Sequence, residues 1–418
     1  MVPDDLGDDE VEKLLGKLRV ELRILRQRAQ ACHLPLLPRW VLRGHSVRRL
    51  QTTDPLRALE ALREEVHERG VEVVDTGAQF LELFECFGVR VRHADSFADG
   101  NNACMPFENR VTQMLGVEIP IVQAPMGWIA RSQLASAVSN AGAMGIIETS
   151  SGELDNVKDE IRKMRDLTDK PFGVNIAQAF VRDPAIAEFV IDQGVKFVTT
   201  SAGSPTKYTS VLKEGGLTVF HVVPNLSGAM KAVDAGVDGL IVEGGEGGGF
   251  KSPRPIASMV LLPLIRSKTD VPIIAAGGFI DGPTMAAALA MGAEGVQMGT
   301  RMVSSAESPV HENWKQAIID AGEDDTVVLG RAGRMAMRAL RTERTNALEF
   351  NTDTEPMSAF GDAMKLYFGG DMEAGIALGG QVMGRIEAIR PVAEVITETA
   401  DECLTIIESL AKQYGRSL

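Results

Sequence analysis

Residues of the kinds that build disulfide frameworks and metal sites are scarce in this chain of 418 residues. The 4 Cys are scattered at positions 32, 86, 104 and 403, and no CxxC pair occurs. That spacing excludes a ribbon-type zinc site and indicates free thiols in a reducing compartment. No apolar run reaches the roughly eighteen residues of a membrane span, and the acidic start is unlike a signal peptide. We therefore expect a cytoplasmic protein with no metal centre and no membrane insertion.

The chain also lacks an excess of positive charge. Its 57 Asp and Glu outnumber 43 Lys and Arg, and the formal net charge is −14. A negative balance of this size disfavours nucleic acid and anionic membrane surfaces as partners and favours a small-molecule substrate. The hydrophobic content of 44% and the 42 Gly are typical of an α/β enzyme.

The composition changes near residue 105. Between residues 11 and 50, Lys and Arg outnumber acidic residues, and leucines recur at helical spacing from Leu14 to Leu25. This pattern predicts an amphipathic helix with a basic face, which is more often solvated or packed than bound to a membrane or nucleic acid. A second helix is predicted over 56–70 and short strands over 71–92. We treat residues 1–104 as a mainly helical appendage without assigned chemistry, because Met105 could itself begin the chain.

Beyond residue 118 the pattern becomes regular. Apolar, β-branched runs alternate with helical stretches, and the runs cover 119–124, 145–148, 172–176, 196–200, 218–223, 239–242, 271–275 and 295–298. Continuous apolar strands with helices between them indicate a parallel sheet that is buried on both faces. A doubly wound open sheet would give a similar alternation. The count of eight favours a TIM (β/α)₈ barrel, which we place at 105–345, followed by a C-terminal helical extension at 346–418.

Glycines follow the last two predicted strands. Gly277 and Gly278 end one strand, and Gly299 ends the next, in the segment from Gln297 to Arg301. Without a Cβ, these residues expose backbone N–H groups to a small anion. The loops after the seventh and eighth strands of such a barrel are its usual phosphate site. The sequence therefore predicts a phosphorylated cofactor at the mouth of the barrel.

Several other predicted strands end in unusual residues that would meet at the same mouth. The chain resembles the nitronate monooxygenases, formerly called 2-nitropropane dioxygenases, and the related flavin-type enoyl-acyl-carrier-protein reductases. The resemblance runs from about residue 109 to 341 and is carried by PIVQAPM from Pro120, DKPFGVNI from Asp169, the turn at 201–208, the glycine loop at 243–249, and segments 274–278 and 297–301. These motifs stand in the family's order and spacing.

The resemblance implies non-covalent FMN and assigns residues to it. The implied cofactor-binding residues are Ala124, Pro125 and Met126 beside the ring, Asn175 bonded to it, Gly245, Gly247, Gly248 and Gly249 along the cofactor, Gly277, Gly278, Gly299 and Thr300 around the phosphate, and Gln297 and Met298 just before Gly299. Plainer roles stay open for three residues. Asn175 would serve as a strand-end cap and Met126 as core filler. Arg301 would add charge at the phosphate or form a structural ion pair.

The chain departs from the family at residue 250. Many members carry a histidine there that acts as a base or is needed for enoyl reduction, whereas this chain has Phe250, which cannot transfer a proton. We keep Phe250, Lys251 and His221 as candidate catalytic positions. His221 lies inside the fifth predicted strand, where a satisfied core histidine is the more common case. Lys251 is more commonly a surface residue or a charge for the ligand.

Three functions remain open from the sequence. The first is oxidation of alkyl nitronates with O₂, in which an already deprotonated substrate needs no base. The second is an NAD(P)H-dependent reductase of an enoyl thioester or quinone. The third is a flavin-binding subunit without turnover.

Two features beyond the eight predicted strands bear on partners. Five arginines between residues 331 and 344 would bind a phosphate or carboxylate of a substrate such as a coenzyme A thioester, or would pair with Glu323, Asp324 and Asp325. The segments 375–381 and 391–414 are predicted to form a helix pair across the mouth, as a lid or a homodimer contact.

Overall fold

The computed structural model describes residues 107–150, 154–351 and 357–415. The predicted N-terminal helices and strands lie outside the described residues, and the division at residue 104 stays a prediction. The strands are β1 (Ile121–Gln123), β2 (Gly145–Glu148), β3 (Phe172–Ala177), β4 (Phe197–Ser201), β5 (Thr218–Val223), β6 (Gly239–Glu243), β7 (Gly249–Lys251), β8 (Ile273–Ala276), β9 (Gly295–Met298), β10 (Thr326–Leu329) and β11 (Ala336–Leu340).

Helices connect and flank these strands. They are α1 (Arg110–Leu115), α2 (Ser132–Asn140), α3 (Leu154–Leu167), α4 (Ile186–Asp192), α5 (Thr209–Glu214), α6 (Leu226–Asp234), α7 (Ser258–Arg266), α8 (Gly282–Ala290), α9 (Thr300–Val303), α10 (Glu312–Ile319), α11 (Glu343–Glu349), α12 (Ala363–Tyr367) and α13 (Val392–Tyr414). Short 3₁₀ turns cover Gln178–Phe180, Pro205–Lys207 and Gln381–Arg385. None of the helices in the described ranges is long and apolar enough to cross a membrane.

Eight of the strands form a parallel barrel. Their order is β1-β9-β8-β6-β5-β4-β3-β2. A parallel bridge between Val122 and Met144, just before β2, joins the two ends of the sheet. There the Met144 N–H donates to the Ile121 carbonyl over 2.9 Å. All eight predicted strands are confirmed, with ends that differ by at most two residues. Because the sheet is closed, the alternative of a doubly wound open sheet is excluded.

Large side chains fill the inside of the barrel. Phe197 on β4 and Phe220 on β5 meet edge to face, with ring centroids 5.5 Å apart. Gly239 on β6 makes room for this pair, because a Cβ there would lie 2.3 Å from the Phe220 ring. Helix α1 joins the same cluster through Val111 and Leu115. The interior is therefore a packed core, and a ligand can enter only at the opposite, carboxyl-terminal end.

A second, three-stranded antiparallel sheet with the order β10-β11-β7 stands beside that end. It brings together residues about ninety positions apart, pairing Phe250 with Met337. Its small core contains Val327, Leu329 and Met337, with Phe250 packed against it. This sheet was not predicted from the sequence, because its strands are short and the first of them follows directly on a glycine-rich loop.

The C-terminal segments differ from the predicted helix pair. Helix α13 confirms the predicted helical stretch, but it packs on α8 and α2, on the outer wall of the barrel. Its buried stripe includes Val395 and Ile396, and Gly282 lets it approach α8 so closely that a Cβ there would lie 2.2 Å from Glu402. Segment 375–381 is not helical before its last residue, yet it does reach the mouth, where the Gln381 N–H donates to the Glu246 carbonyl over 2.9 Å.

Candidate active site

A cavity of about 770 Å³ lies at the carboxyl ends of the barrel strands. This volume falls within the range of small-molecule and cofactor sites. The predicted cofactor-binding residues that line it are Ala124, Pro125, Met126, Asn175, Gly247, Gly248, Gly249, Gly277, Gly278, Gln297, Gly299 and Thr300. Gly245 and Met298 do not line it. Met298 is fully buried in the core, and the Gly245 carbonyl accepts a hydrogen bond from Arg338 Nε over 3.0 Å.

Two adjacent glycines shape one wall of the cavity. Gly277 has a φ of +81° and Gly278 a φ of +101°, which other residues rarely adopt. A Cβ on Gly277 would lie 2.7 Å from the Gly244 carbonyl oxygen. Ser258, at the start of α7, donates from Oγ to the Gly277 carbonyl over 2.8 Å and from its backbone N to Glu246 Oε1 over 2.9 Å, and so ties this loop to the glycine loop after β6. The wall is therefore bare backbone, which suits close approach of a phosphate or ribityl chain.

Thr300, after β9, presents its hydroxyl to the cavity. Its Oγ1 accepts a hydrogen bond from the Gly380 N–H over 3.0 Å, which leaves the hydroxyl proton free for an acceptor such as phosphate. Arg301 does not line the cavity. Its guanidinium donates to the Ala388 carbonyl over 3.0 Å, and burial lowers its pKa. This position fits a structural role for Arg301, but its hydrogen-bond partners in the described ranges are the Ala388 carbonyl and Ser304 Oγ and not the carboxylate of an ion pair.

Buried amide groups face the same space from the strand ends. Asn175 Nδ2 donates to Thr199 Oγ1 over 2.9 Å, so its Oδ1 is the atom left to accept from a ligand. Gln297 lines the cavity, and its buried Oε1 has no hydrogen-bond partner in the described part of the chain. An unpaired buried acceptor costs about 1–3 kcal/mol. The edge of a flavin ring, with its mixed donors and acceptors, would satisfy these groups, so the residues present fit the group.

Glu148 organises the loops after β1 and β2. Its side chain is 1% exposed and forms a 3.0 Å ion pair with Arg131. One carboxylate oxygen accepts from the Trp128 N–H over 3.1 Å, and the other accepts from Ser150 N and Oγ. Trp128 has a φ of +63°, and Ala202, in the loop after β4, has a φ of +52°. Both strained residues lie in loops that line the cavity, where strain commonly serves positioning.

Phe250 forms an apolar wall together with Phe180. Their ring centroids are 5.2 Å apart with a tilt of 38°, and both residues line the cavity. Phe250 is carried by β7 and Phe180 by the turn after β3. Such a pair supplies contact area to an apolar group and no proton.

Lys251, the next residue on β7, forms a buried ion pair with Glu243 at the end of β6. The lysine side chain is 4% exposed, and both residues line the cavity. An ammonium group has three donors, and Glu243 is the one partner of Lys251 Nζ in the described ranges. The remaining donors are available to an oxygen of a ligand.

His221 lines the cavity from β5 and is 3% exposed. Its Nδ1 lies 2.7 Å from Thr200 Oγ1. Burial lowers its pKa to about 4, against a smaller opposing effect of a backbone hydrogen bond at Gly203. The ring is therefore neutral at pH 7. The structure thus brings Phe250, Lys251 and His221 together, and His221 is hydrogen-bonded as a satisfied core histidine would be.

Several cavity residues were missed from the sequence. Trp314 and Tyr367 stack with ring centroids 4.3 Å apart and line the cavity, together with Gly379 and Gly380. The aromatic pair leaves no motif in the sequence, because its members lie far apart along the chain, on α10 and α12. The Gly379-Gly380 pair resembles the earlier strand-end glycines and was a usable signal. Among the described residues, no cluster of His, Cys, Asp and Glu could hold a metal ion.

Comparison with known proteins agrees with this geometry. The family model described as nitronate monooxygenase matches residues 108–189 and 181–402. The chain belongs to the nitronate monooxygenase family. It is accordingly an oxidoreductase of a flavoprotein family, with the TIM-barrel fold.

Individual relatives differ in the reactions for which they are named. The chain is 40% identical over 248 residues to a (3aS,4S,5R,7aS)-5-hydroxy-7a-methyl-1-oxo-octahydro-1H-indene-4-carboxyl-CoA dehydrogenase of Mycobacterium tuberculosis, covering 59% of this chain and 69% of that one. It is 30% identical to a nitronate monooxygenase of Paraburkholderia phytofirmans, covering 53% and 74%. The solved FabK of Thermotoga maritima superposes with a TM-score of 0.70 at 38% identity, covering 73% and 99%.

Proposed function

We propose that this protein is an FMN-dependent oxidoreductase whose substrate is an apolar acyl group carried as a coenzyme A-type thioester. The observation that carries the proposal is the Phe250–Phe180 wall, which stands where many family members have a histidine. A wall of this kind holds an apolar group at the cofactor and excludes water from it. The relative named as a carboxyl-CoA dehydrogenase supports the same substrate class.

FMN, when bound, would supply the hydride acceptor or donor for Cβ of the acyl group. The accompanying proton at Cα would pass to or from the Lys251–Glu243 pair, which lines the same cavity. Gly277, Gly278, Gly299 and Thr300 would hold its phosphate, and Asn175 and Gln297 would contact the ring. These assignments rest on the orphaned Gln297 oxygen and on the bare backbone wall.

The residues of the chain itself would do three things. Phe250 and Phe180 would bind and orient the acyl group. Lys251 would donate from Nζ to the thioester carbonyl oxygen, and Glu243 would hold the ammonium in place. His221, neutral at pH 7, would hold its hydrogen bond to Thr200 and would not store a proton.

Oxidation of alkyl nitronates with O₂ is the second candidate function. It is supported by the family itself and by the 30% identical nitronate monooxygenase. A nitronate arrives deprotonated and would need only an anion-binding group, for which Lys251 is available. A flavin-binding subunit without turnover is disfavoured, because the chain belongs to a family whose members are named oxidoreductases.

Flavin absorbance discriminates between these functions. Purified holo-protein is mixed anaerobically, in turn, with NADH, NADPH, propyl-2-nitronate and short-chain acyl-CoA, and photoreduced protein is mixed with the matching enoyl-CoA. We expect bleaching by acyl-CoA or reoxidation by enoyl-CoA. Bleaching by the nitronate, with no response to any thioester, would favour the second candidate. A colourless protein that cannot be reconstituted with FMN would contradict both.

A further inference from the structure

Two arginines stand without an acidic partner at one turn of the second sheet. Arg331 and Arg334 lie in the turn between β10 and β11, and both are exposed. Within the described ranges neither forms an ion pair, in a protein whose net charge is −14. Unpaired cations on an acidic protein are a candidate anion site.

The turn lies at the edge of the active-site cavity. The next residue along the chain, Met335, lines the cavity, as does Ser252 after β7. In the antiparallel pairing of β11 with β7, Ala336 stands opposite Lys251. The residues before Ala336 and those after Lys251 therefore share one end of the sheet. Arg254, also exposed and without an ion pair in the described ranges, belongs to that end.

A third observation concerns the charge of Arg331, which acts on Arg338 in β11. The pKa of Arg338 is lowered first by burial and then by the charge of Arg331. Arg338 in turn donates to the carbonyl of Gly245, in the loop after β6. We refer to Arg254, Arg331 and Arg334 as the arginine rim.

The nearby acidic run does not neutralise the arginine rim. Glu323, Asp324 and Asp325 precede β10, at the other end of the sheet, roughly 15 Å along the strand. There Arg341 donates to the Asp324 carbonyl over 3.4 Å and forms an ion pair with Glu349. The sequence left open whether these arginines pair with acids or bind a ligand. Arg341 pairs with an acid at one end of the sheet, whereas Arg331 and Arg334 at the other end remain available to a ligand.

We propose that the arginine rim binds the phosphate groups at the nucleotide end of a coenzyme A thioester, whose acyl end lies in the cavity beside Phe250. This inference rests on the proposed function, since it assigns a position to the other end of the same substrate. Arginine suits phosphate because its planar fork offers paired donors. NADPH carries similar phosphate groups, so the test must separate the two nucleotides.

The test measures the affinity of FMN-loaded full-length protein for coenzyme A, dephospho-coenzyme A, pantetheine and NADPH by calorimetry at low and high salt. The variant is R331Q/R334Q. The matched control is K158Q/R162Q, which removes the same charge from exposed positions on α3. FMN content and the melting temperature serve as checks on folding, which exposed arginines should not disturb.

We expect the Kd for coenzyme A to rise about tenfold in R331Q/R334Q, since each exposed phosphate contact contributes modestly. The affinity for dephospho-coenzyme A should fall by a smaller factor, and the affinity for pantetheine should not change. The salt dependence of the native protein should flatten in the variant, while the control should match the native protein.

An unchanged Kd for coenzyme A, an equal loss in the control, or a loss confined to NADPH would each overturn the assignment. Its failure differs from failure of the proposed function. If thioesters are turned over but the Kd for coenzyme A is the same in R331Q/R334Q, only the assignment of the arginine rim is refuted. Rim-dependent binding of coenzyme A without any flavin response to thioesters would support the rim and contradict the proposed reaction.

Discussion

The barrel and the three-stranded sheet contribute to the same cavity by different means. The barrel side offers backbone and amide groups, such as those of Gly277, Gly278 and Asn175. The sheet side offers an aromatic ring, a buried ammonium and exposed guanidinium groups, carried by Phe250, Lys251 and the arginine rim. Backbone cannot change its chemistry by substitution, whereas side chains can. We therefore propose that the barrel side holds the cofactor and that the sheet side decides which substrate reacts there.

The largest effect should come from the barrel side. Gly277→Ala would place a Cβ 2.7 Å from the Gly244 carbonyl oxygen at a φ of +81°. We expect FMN affinity, measured by titration of the apoprotein, to fall by at least about 100-fold, or roughly 3 kcal/mol. Gly236→Ala is the control, since its φ is +80° with nothing within 4 Å. It should cost only about 1 kcal/mol of stability and leave FMN affinity intact. Equal losses in both variants would locate the effect in backbone strain.

A second prediction concerns acid stability, through His221. Its pKa is lowered from 6.5 to about 4 on folding, so the unfolded chain binds more protons between these values. Stability should therefore fall as the pH drops from 7 to 4, by about 3 kcal/mol from this residue. His221→Asn should remove this part of the slope, measured by urea unfolding at each pH. A variant with the native slope would show that other groups cause the acid sensitivity.

On the sheet side, Phe250→Ala should raise the KM for an apolar thioester by about tenfold and change kcat by less than about threefold. The reason is that the ring supplies binding shared by ground and transition states. FMN content should stay native, in contrast to Gly277→Ala. Phe350→Ala, at a residue 86% exposed, is the matched truncation and should have no effect.

Phe250→His sharpens the same comparison. If the reaction needs no base at this position, activity towards nitronates or neutral nitroalkanes should change by less than about tenfold, or roughly 1.4 kcal/mol. A large gain in nitroalkane oxidation would mean that the residue at position 250, on the sheet side, determines whether the protein catalyses this reaction.

The smallest effect should come from Ala202. Its φ of +52° is strained for alanine, so Ala202→Gly should stabilise the fold by up to about 1 kcal/mol. Ala287→Gly, at an exposed position inside α8, should destabilise it instead. Thermal melts of both variants would check the sign. Destabilisation by Ala202→Gly would show that packing of the methyl group outweighs the strain.

The barrel was predictable from the sequence because each of its strands is a local signal. The apolar runs and the glycines after β8 and β9 identify themselves within a few residues, and the structure confirms the strands. Most of the predicted cofactor residues line one cavity, although their roles stay predictions. Met298 does not line it because successive residues of a strand point to opposite faces, so Met298 packs in the core while Gln297 faces the cavity. Gly245 does not line it, and its backbone bonds to Ile256 and Arg338. Neither position could be distinguished by motif alone.

The sequence by itself determined the eight-stranded barrel, the glycine-lined mouth and the family, since these depend on short segments whose order and period are visible along the chain. Only the tertiary structure decided what surrounds the mouth. The pairing of β7 with β11, the stacking of Trp314 on Tyr367 and the separation of Arg331 and Arg334 from the acids before β10 join residues that are distant in sequence or depend on strand direction. Contacts of that kind leave no periodic signal, because their partners are chosen by packing and register rather than by local propensity.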